Sequence, residues 1–296
     1  MLRVTAKQQL MREIVDLLSV LTEEAKLSWG ENGLSTTVVD GSHVALLSVT
    51  VADACFETYE VEPVEIGLEL GKLRDLLTLA GPNDLVELDY DGATGAINVR
   101  VGEVHRILRG LDTGSINEPR QPDLDFECKA TLSADRLSRA LRAAKFVGEL
   151  VDLSLDKNQM TVSVTVEAGE GVNVRFDAGE MSELVAPKPT ASTYSLQFLD
   201  PLSRKLASGL TEEVTVEFQD RYPLRLSWNS NEGGASWTYF LAPRVSNDPC
   251  EPSTTVVLKP LSPQLSLASS VRTESSSTIS RISCCLAVTL SISTPT

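Results

Sequence analysis

Between Thr131 and Val147 four cations, Arg136, Arg139, Arg142 and Lys145, recur at every third residue, with Leu137, Ala140, Leu141 and Ala144 among them. At about 100° per residue, a helix spreads those cations over one half of its circumference and gathers the apolar set on the other. Guanidinium and ammonium groups arrayed in this way suit one chemistry, the attraction of phosphates without reading of a base sequence. Ser133 stands where an N-cap belongs, and Asp135 lies in the first turn, where the helix dipole favours a carboxylate. A solvated face of helix-forming arginines is the competing reading of the same pattern. The chain carries a net charge of −15 over 296 residues, so any nucleic-acid contact must come from local clusters such as this one.

Catalytic patterns are missing. His43 follows an Asp-Gly-Ser turn and His105 lies beside Arg106, but neither pairs with a nucleophile motif or an orienting group. Gly169-Glu170-Gly171 lacks the third glycine and following helix of a dinucleotide loop and reads as a hairpin. Acidic pairs such as Asp123/Asp125 and Glu212/Glu213 carry no information in so acidic a chain. Cys55, Cys128, Cys250, Cys284 and Cys285 form no metal-ligand spacing and read as reduced thiols. The expectation is a protein that is not an enzyme, with no catalytic residue, no cofactor and no metal. With no signal-peptide pattern and no run of about 18 apolar residues, it is expected to be soluble, cytoplasmic and nucleoid-associated, with no membrane partner.

The elements that must hold the basic helix come in two similar series. Residues 7–22 read as an amphipathic helix with Leu10, Ile14, Leu17, Leu18 and Leu21 inward. Alternating strands follow through LSWG, GLSTTVV, VALLSVTV and FETYEVEPVEIGLEL. A second helix spans 71–80 and stops at Gly81-Pro82. LVELDYD and AINVRV flank an Asp91-Gly92 turn, and VHRILRGLD closes the series. Residues 113–126 carry Pro119 and Pro122 and no periodicity, which is linker chemistry. The pattern then restarts: the basic helix, LVDLSLD, MTVSVTVEAGEGVNVRF, YSLQFLDPLSRKLASG, VTVEFQD, LRLSW and TYFLAPRV. Corresponding positions lie about 127–129 residues apart, as an internal duplication requires. Each half is expected to be α+β, with two helices on one face of one sheet. The expected organisation is 1–112, a connector 113–126, 127–247, and a Ser/Thr/Pro-rich tail 248–296 that reads as disordered.

If all four helices turn their wet faces one way, that face carries Arg12, Lys72, Arg74, Arg136, Arg139, Arg142, Lys145, Arg204 and Lys205. Glu13, Asp16 and Asp75 interrupt it in the first half, so the second half is the more basic.

A duplicated helix–sheet unit, a proline-bearing connector and basic helices in an acidic protein resemble the sliding clamps of DNA replication. Val39-Asp40-Gly41-Ser42-His43-Val44-Ala45-Leu46 is similar to that family's Asp-x-Ser-His-Val segment. Leu79-Ala80-Gly81-Pro82-Asn83-Asp84 is similar to its helix-ending Ala-Gly motif. Tyr239-Phe240-Leu241-Ala242-Pro243-Arg244-Val245 matches its Leu-Ala-Pro-Lys/Arg signature, the most specific of the three. Over about residues 1–247 the chain resembles the proliferating cell nuclear antigen family in its archaeal, acidic haloarchaeal form.

The resemblance implies a homotrimeric ring around duplex DNA, helices lining the hole and sheets outside, that tethers DNA polymerase and recruits replication and repair factors. Arg12, Arg139, Arg142 and Arg204 match the family's pore positions; Lys72, Arg74, Arg136, Lys145 and Lys205 are added from helix geometry. Glu13, Ser19, Asp75 and Thr78 occupy positions where relatives are often basic. A pocket for short hydrophobic motifs of client proteins is implied at Val39, His43, Val44, Leu46, Pro223, Leu241, Ala242 and Pro243. The connector contributes Pro119, Gln121 and Pro122, with Gln121 where an apolar residue is usual. The clamp loader and other clients would be its partners. Subunits would join through edge strands near 104–112 and 172–180. A subunit of a heterotrimeric clamp, and a duplicated protein-binding module without DNA, are the alternatives.

Overall fold

A computed structural model describes residues 1–116, 119–166, 169–231 and 234–244. The expected disordered tail 248–296 lies outside the described residues. The first half runs β1 (Leu2–Lys7), α1 (Gln8–Leu18), β2 (Glu24–Gly30), β3 (Gly33–Val39), β4 (Ala45–Ala52), β5 (Thr58–Val61), β6 (Val64–Glu69), α2 (Leu70–Leu77), β7 (Leu85–Asp91), β8 (Ala96–Val101) and β9 (Val104–Arg109). The second half repeats this order: β10 (Lys129–Ser133), α3 (Ala134–Lys145), β11 (Leu150–Leu155), β12 (Gln159–Thr165), β13 (Gly171–Asp177), β14 (Glu183–Val185), β15 (Thr190–Ser195), α4 (Leu196–Lys205), β16 (Glu213–Glu217), β17 (Leu224–Asn229) and β18 (Ala235–Leu241). The expected duplication is thus present element by element.

Two expectations are corrected. The first helix does not span 7–22: Lys7 is the last residue of β1, and α1 ends at Leu18 before turns. Nor does each half hold one sheet. Each supplies a five-strand group and a four-strand group. In the first half β5-β1-β7-β8-β9 stands alone, and in the second β13-β12-β11-β15 does. The other two groups merge into one nine-stranded sheet, β14-β10-β16-β17-β18-β4-β3-β2-β6. The seam is an antiparallel ladder running from Ala235↔Val51 to Leu241↔Ala45. It forms because β18 and β4, each the last strand of its group, would otherwise leave their backbone donors and acceptors unpaired at adjoining edges.

All four helices bury their apolar stripes in one continuous core. Met11, Ile14, Leu17 and Leu18 do so for α1, and Leu137, Ala140, Leu141 and Ala144 for α3. Helix α1 packs on α2, α3 on α4, and α1 also touches α4, which sets the halves side by side. Ser133 occupies the expected N-cap position, but its side chain makes no capping hydrogen bond.

One buried polar link ties the halves together. The Glu13 carboxylate of α1 accepts from Trp237 Nε1 at 2.9 Å and from the Ser230 hydroxyl, both in the second half. A hydrogen bond to a charged, buried acceptor is worth roughly 1.5–3 kcal/mol. Glu13, which looked like a misplaced pore acid, is therefore a structural group.

Candidate nucleic-acid interface and partner pocket

Of the nine cations expected to share one face, eight have a carboxylate partner. On α3, Arg139 pairs with Asp135 at 2.8 Å, and Lys145 with Glu149. Arg136 turns sideways: its guanidinium lies 5.2 Å from the Phe176 ring centroid and 3.0 Å from Glu180. It therefore packs against the end of β13. On α4, Arg204 reaches Asp200 at 2.8 Å. Lys72 pairs with Glu69 at 2.6 Å. Arg12, Arg74 and Lys205 all meet Asp16, at 3.8, 3.3 and 3.0 Å. Arg142 is exposed and is in no ion pair among the described residues. Exposed pairs of this kind add only about 0–1 kcal/mol each to stability, so their effect falls on the field that the face presents. Arg139 and Arg142 are the two fully exposed cations of α3.

Four of the expected pocket residues, Val44, Leu46, Leu241 and Ala242, lie at the seam between β4 and β18. Asp40 begins the turn that presents them. Its Oδ1 accepts from the Val44 and Ala45 amides, both at 2.7 Å, and its Oδ2 accepts from the Ser42 amide at 2.8 Å and from the Ser42 hydroxyl. This holds His43 at φ 57, exposed, and leaves Val44 half-buried beside it. The Ala242 amide donates to the Val44 carbonyl at 2.9 Å, continuing the ladder past β18. Val39, Ala242 and Pro243 are half-buried. Leu46 is buried opposite Phe240, and neither belongs to the main core, so both lie on the outer face of the sheet. Leu241 is wholly buried in the core and Pro223 is buried. In the connector Pro119 is buried, Pro122 half-buried and Gln121 exposed.

Sequence reasoning missed how the far end of the connector is held. Phe126 lies between Tyr222, edge-on at 5.5 Å, and the Arg225 guanidinium at 4.5 Å. Arg225 is fixed by two hydrogen bonds to Glu217, at 2.5 and 2.7 Å. Gln219 Nε2 donates to the Asp125 carbonyl at 2.8 Å. An aromatic residue at the close of a proline-bearing linker was the only available signal.

Burial pushes the Asp40 carboxyl up, but its four hydrogen bonds outweigh that and hold it below the ordinary carboxylate value. Because the folded value is the lower one, the charged group stabilises the fold above the unfolded value of about 3.9. That stabilisation is lost as pH falls through the folded value. Asp40→Asn is expected to lower stability at pH 7 by about 1–3 kcal/mol in urea unfolding. The gap to the native chain should narrow in acid; a gap constant with pH would refute the assignment.

Among the described residues two long sheet edges stay open. β9 exposes Val104 (40 %) and Ile107 (64 %), and β13 leaves Val172 and Val174 half-buried. Other edges are short, as in β5 and β14, or crossed by a backbone bond. Leu111 N donates to Gly67 on β6, and Arg244 N donates to Thr193 on β15.

A duplicated unit with basic helices on one layer and one open edge per half is a ring-building subunit, the architecture of DNA clamps. Residues 1–106 match the family model described as proliferating cell nuclear antigen, N-terminal domain. The chain is 29% identical to the DNA polymerase sliding clamp of Natronomonas pharaonis over 236 residues, covering 79% of this chain and 94% of that one. It is 26% identical to the sliding clamp of Methanoregula boonei over 250 residues, 84% of this chain and all of the other. The fold matches A. fulgidus PCNA, solved with the C-terminal region of FEN-1 bound, at a TM-score of 0.78 and 25% identity over 84% of this chain and 100% of that one. Residues 1–106 thus match the N-terminal domain of the proliferating cell nuclear antigen family, and over about four fifths of its length the chain is similar to DNA sliding clamps. That family is a non-catalytic one, and among the described residues no helix is long and apolar enough to cross a membrane.

Proposed function

We propose that three copies of this chain close into a ring that encircles duplex DNA, tethers DNA polymerase and recruits replication and repair factors. The observation that carries this is the seam between β18 and β4. Within the chain, it joins the last strand of one five-strand group to the last strand of one four-strand group. The equivalent strands of the remaining groups, β9 and β13, are the two open edges. The same joint made between neighbouring copies leaves no such edge, and head-to-tail contacts close into a ring when the rotation suits.

The boundaries 1–112, 113–126 and 127–247 are proposed as the two clamp domains and their connector. Arg12, Lys72, Arg74, Arg136, Arg139, Arg142, Lys145, Arg204 and Lys205 are proposed for the wall facing DNA, with Arg139 and Arg142 the most available. Val39, His43, Val44, Leu46, Pro119, Gln121, Pro122, Pro223, Ala242 and Pro243 are proposed to form the pocket for client motifs, with Leu241 behind it in the core. The protein carries out no reaction of its own and acts in the cytoplasm on the nucleoid. A closed ring needs little affinity, because the duplex cannot leave sideways; weak, sequence-blind phosphate attraction permits sliding.

Solution mass and retention on circular duplex, after loading, test the reading. A trimer held on circles and released on linearisation is the expected result. Arg139→Glu with Arg142→Glu should shorten polymerase run length at least about tenfold through lost phosphate attraction. A monomer, or equal retention on linear and circular DNA, would overturn the proposal.

A further inference from the structure

Resting on the clamp reading, we propose that Asp16 is an internal counterion that withholds Arg12, Arg74 and Lys205 from the duplex. One carboxylate would thereby set how strongly the first half of each subunit attracts DNA. The three cations come from three helices, α1, α2 and α4, and from both halves of the chain. Their side chains are 52%, 42% and 36% exposed, while that of Asp16 is 21% exposed. The carboxylate thus sits below the cations, at the base of a cleft of about 1110 Å³ that Arg12, Arg74, Arg204 and Lys205 also line. A phosphate arriving from solvent meets cations already turned inward to a competing anion. It must draw them away from that anion before contact releases its own counterions.

The duplication supplies an internal comparison. Core residues correspond in order, Met11 with Leu137, Ile14 with Ala140 and Leu18 with Ala144, a spacing of 126 at this helix pair that corrects the 127–129 expected from the sequence. By the same alignment Asp16 corresponds to Arg142. On α3 that position is an exposed arginine in no ion pair among the described residues. On α2 and α4 the swap is reversed, Arg74 standing where the second half has Asp200. Each half therefore carries one acid and one arginine at this pair of positions, but Asp16 gathers three cations from three helices, whereas Asp200 holds Arg204 of its own helix. Glu13, the other acid of α1 near this cleft, is committed to Ser230 and Trp237. Asp16 is different: among the described residues its side chain pairs with these three cations.

The test is equilibrium binding of the full-length trimer to a short fluorescent duplex over a salt series. Asp16→Asn should bind about tenfold tighter at low salt, and log K should fall more steeply with log[salt], by about one to two units of slope, as freed cations reach phosphates. Lys205→Gln should cost more in the Asp16→Asn background than in the native one, because only there is Lys205 at liberty. Unchanged or weaker binding by a trimeric Asp16→Asn protein would overturn the proposal. If Asp16→Asn does not assemble, Lys205→Gln and Arg142→Gln are compared in the native chain. A loss at Lys205 as large as that at Arg142 would then overturn it. Arg142→Gln is also the control for the clamp reading: if it leaves duplex binding intact, the fault lies in the DNA-facing assignment itself.

Discussion

Val104→Asp is expected to convert the trimer into a folded single chain of 32.0 kDa. The reasoning follows from the ladders. In the second half Trp228 pairs with Trp237; in the first, Val101 at the matching position pairs with Val104. On the facing side, Thr36 pairs with Val49, and Val162 at the matching position pairs with Val174. Because Trp237 lies opposite Val49 in the internal seam, the joint between subunits should set Val104 opposite Val174. His105 then falls opposite Asn173, and Arg106 opposite Val172. Val104 is 40 % exposed in the single chain, whereas Trp237 is 1 % exposed at the finished seam. A carboxylate at Val104 is thus tolerated alone but desolvated without a partner in the ring, at a cost of about 3–5 kcal/mol per joint. Light scattering or native mass measurement reads the outcome directly. His105→Cys with Asn173→Cys should link neighbouring chains under oxidation, up to a covalent trimer; a persistent trimer in Val104→Asp with no cross-link would exclude this register.

The helices announced themselves in the sequence, but the strands that run into α1 and α3 did not, and the reason is physical. Each of the four follows a strand with no intervening loop: Lys7 to Gln8, Glu69 to Leu70, Ser133 to Ala134, and Ser195 to Leu196. A period-two pattern runs straight into a period of 3.6, with no glycine, proline or capping hydrogen bond to mark the change. The sequence pattern names neither β1 nor β10: it begins the first helix at residue 7 and puts Ser133 at an N-cap. The duplication was legible because the same order of helices, strands and turns survives in each copy. The merging of sheets was not, because it depends on two edges almost two hundred residues apart, and nothing in β4 or β18 alone says which edge it meets.

Charge was legible as position but not as pairing. The spacing of Arg136, Arg139, Arg142 and Lys145 placed them on one flank of α3. It could not reveal that Arg136 leans on Phe176 or that Arg142 is in no ion pair among the described residues. Likewise the Asp-x-Ser-His-Val resemblance located the pocket without showing that Asp40 builds its turn with four hydrogen bonds. Side-chain networks that span the halves, such as Glu13 with Trp237 or Asp16 with Lys205, need the fold before they exist.

Client binding is expected to be lost on Ala242→Asp while the ring persists. Leu241 is unsuited to this test, since a charge there would enter the core in which it is wholly buried. Ala242 is different: it lies just past the end of β18, half-buried, and only its amide is engaged, with the Val44 carbonyl. A carboxylate there stands beside Val44 and Pro243, next to the turn that Asp40 builds. An apolar anchor inserted there would have to desolvate the charge, and loss of one such anchor costs at least about 2 kcal/mol, or some thirtyfold in affinity. Calorimetric titration with a peptide carrying an aromatic-anchored clamp-binding motif would show the loss, alongside native mass to establish the trimer. The stack of Phe126 between Tyr222 and Arg225 gives the connector a fixed far end. It lowers the ordering cost that a client meets on binding. If Ala242→Asp binds the peptide normally, the motif docks elsewhere, and the pocket at the β4–β18 seam must be abandoned even if the ring and its DNA contact stand.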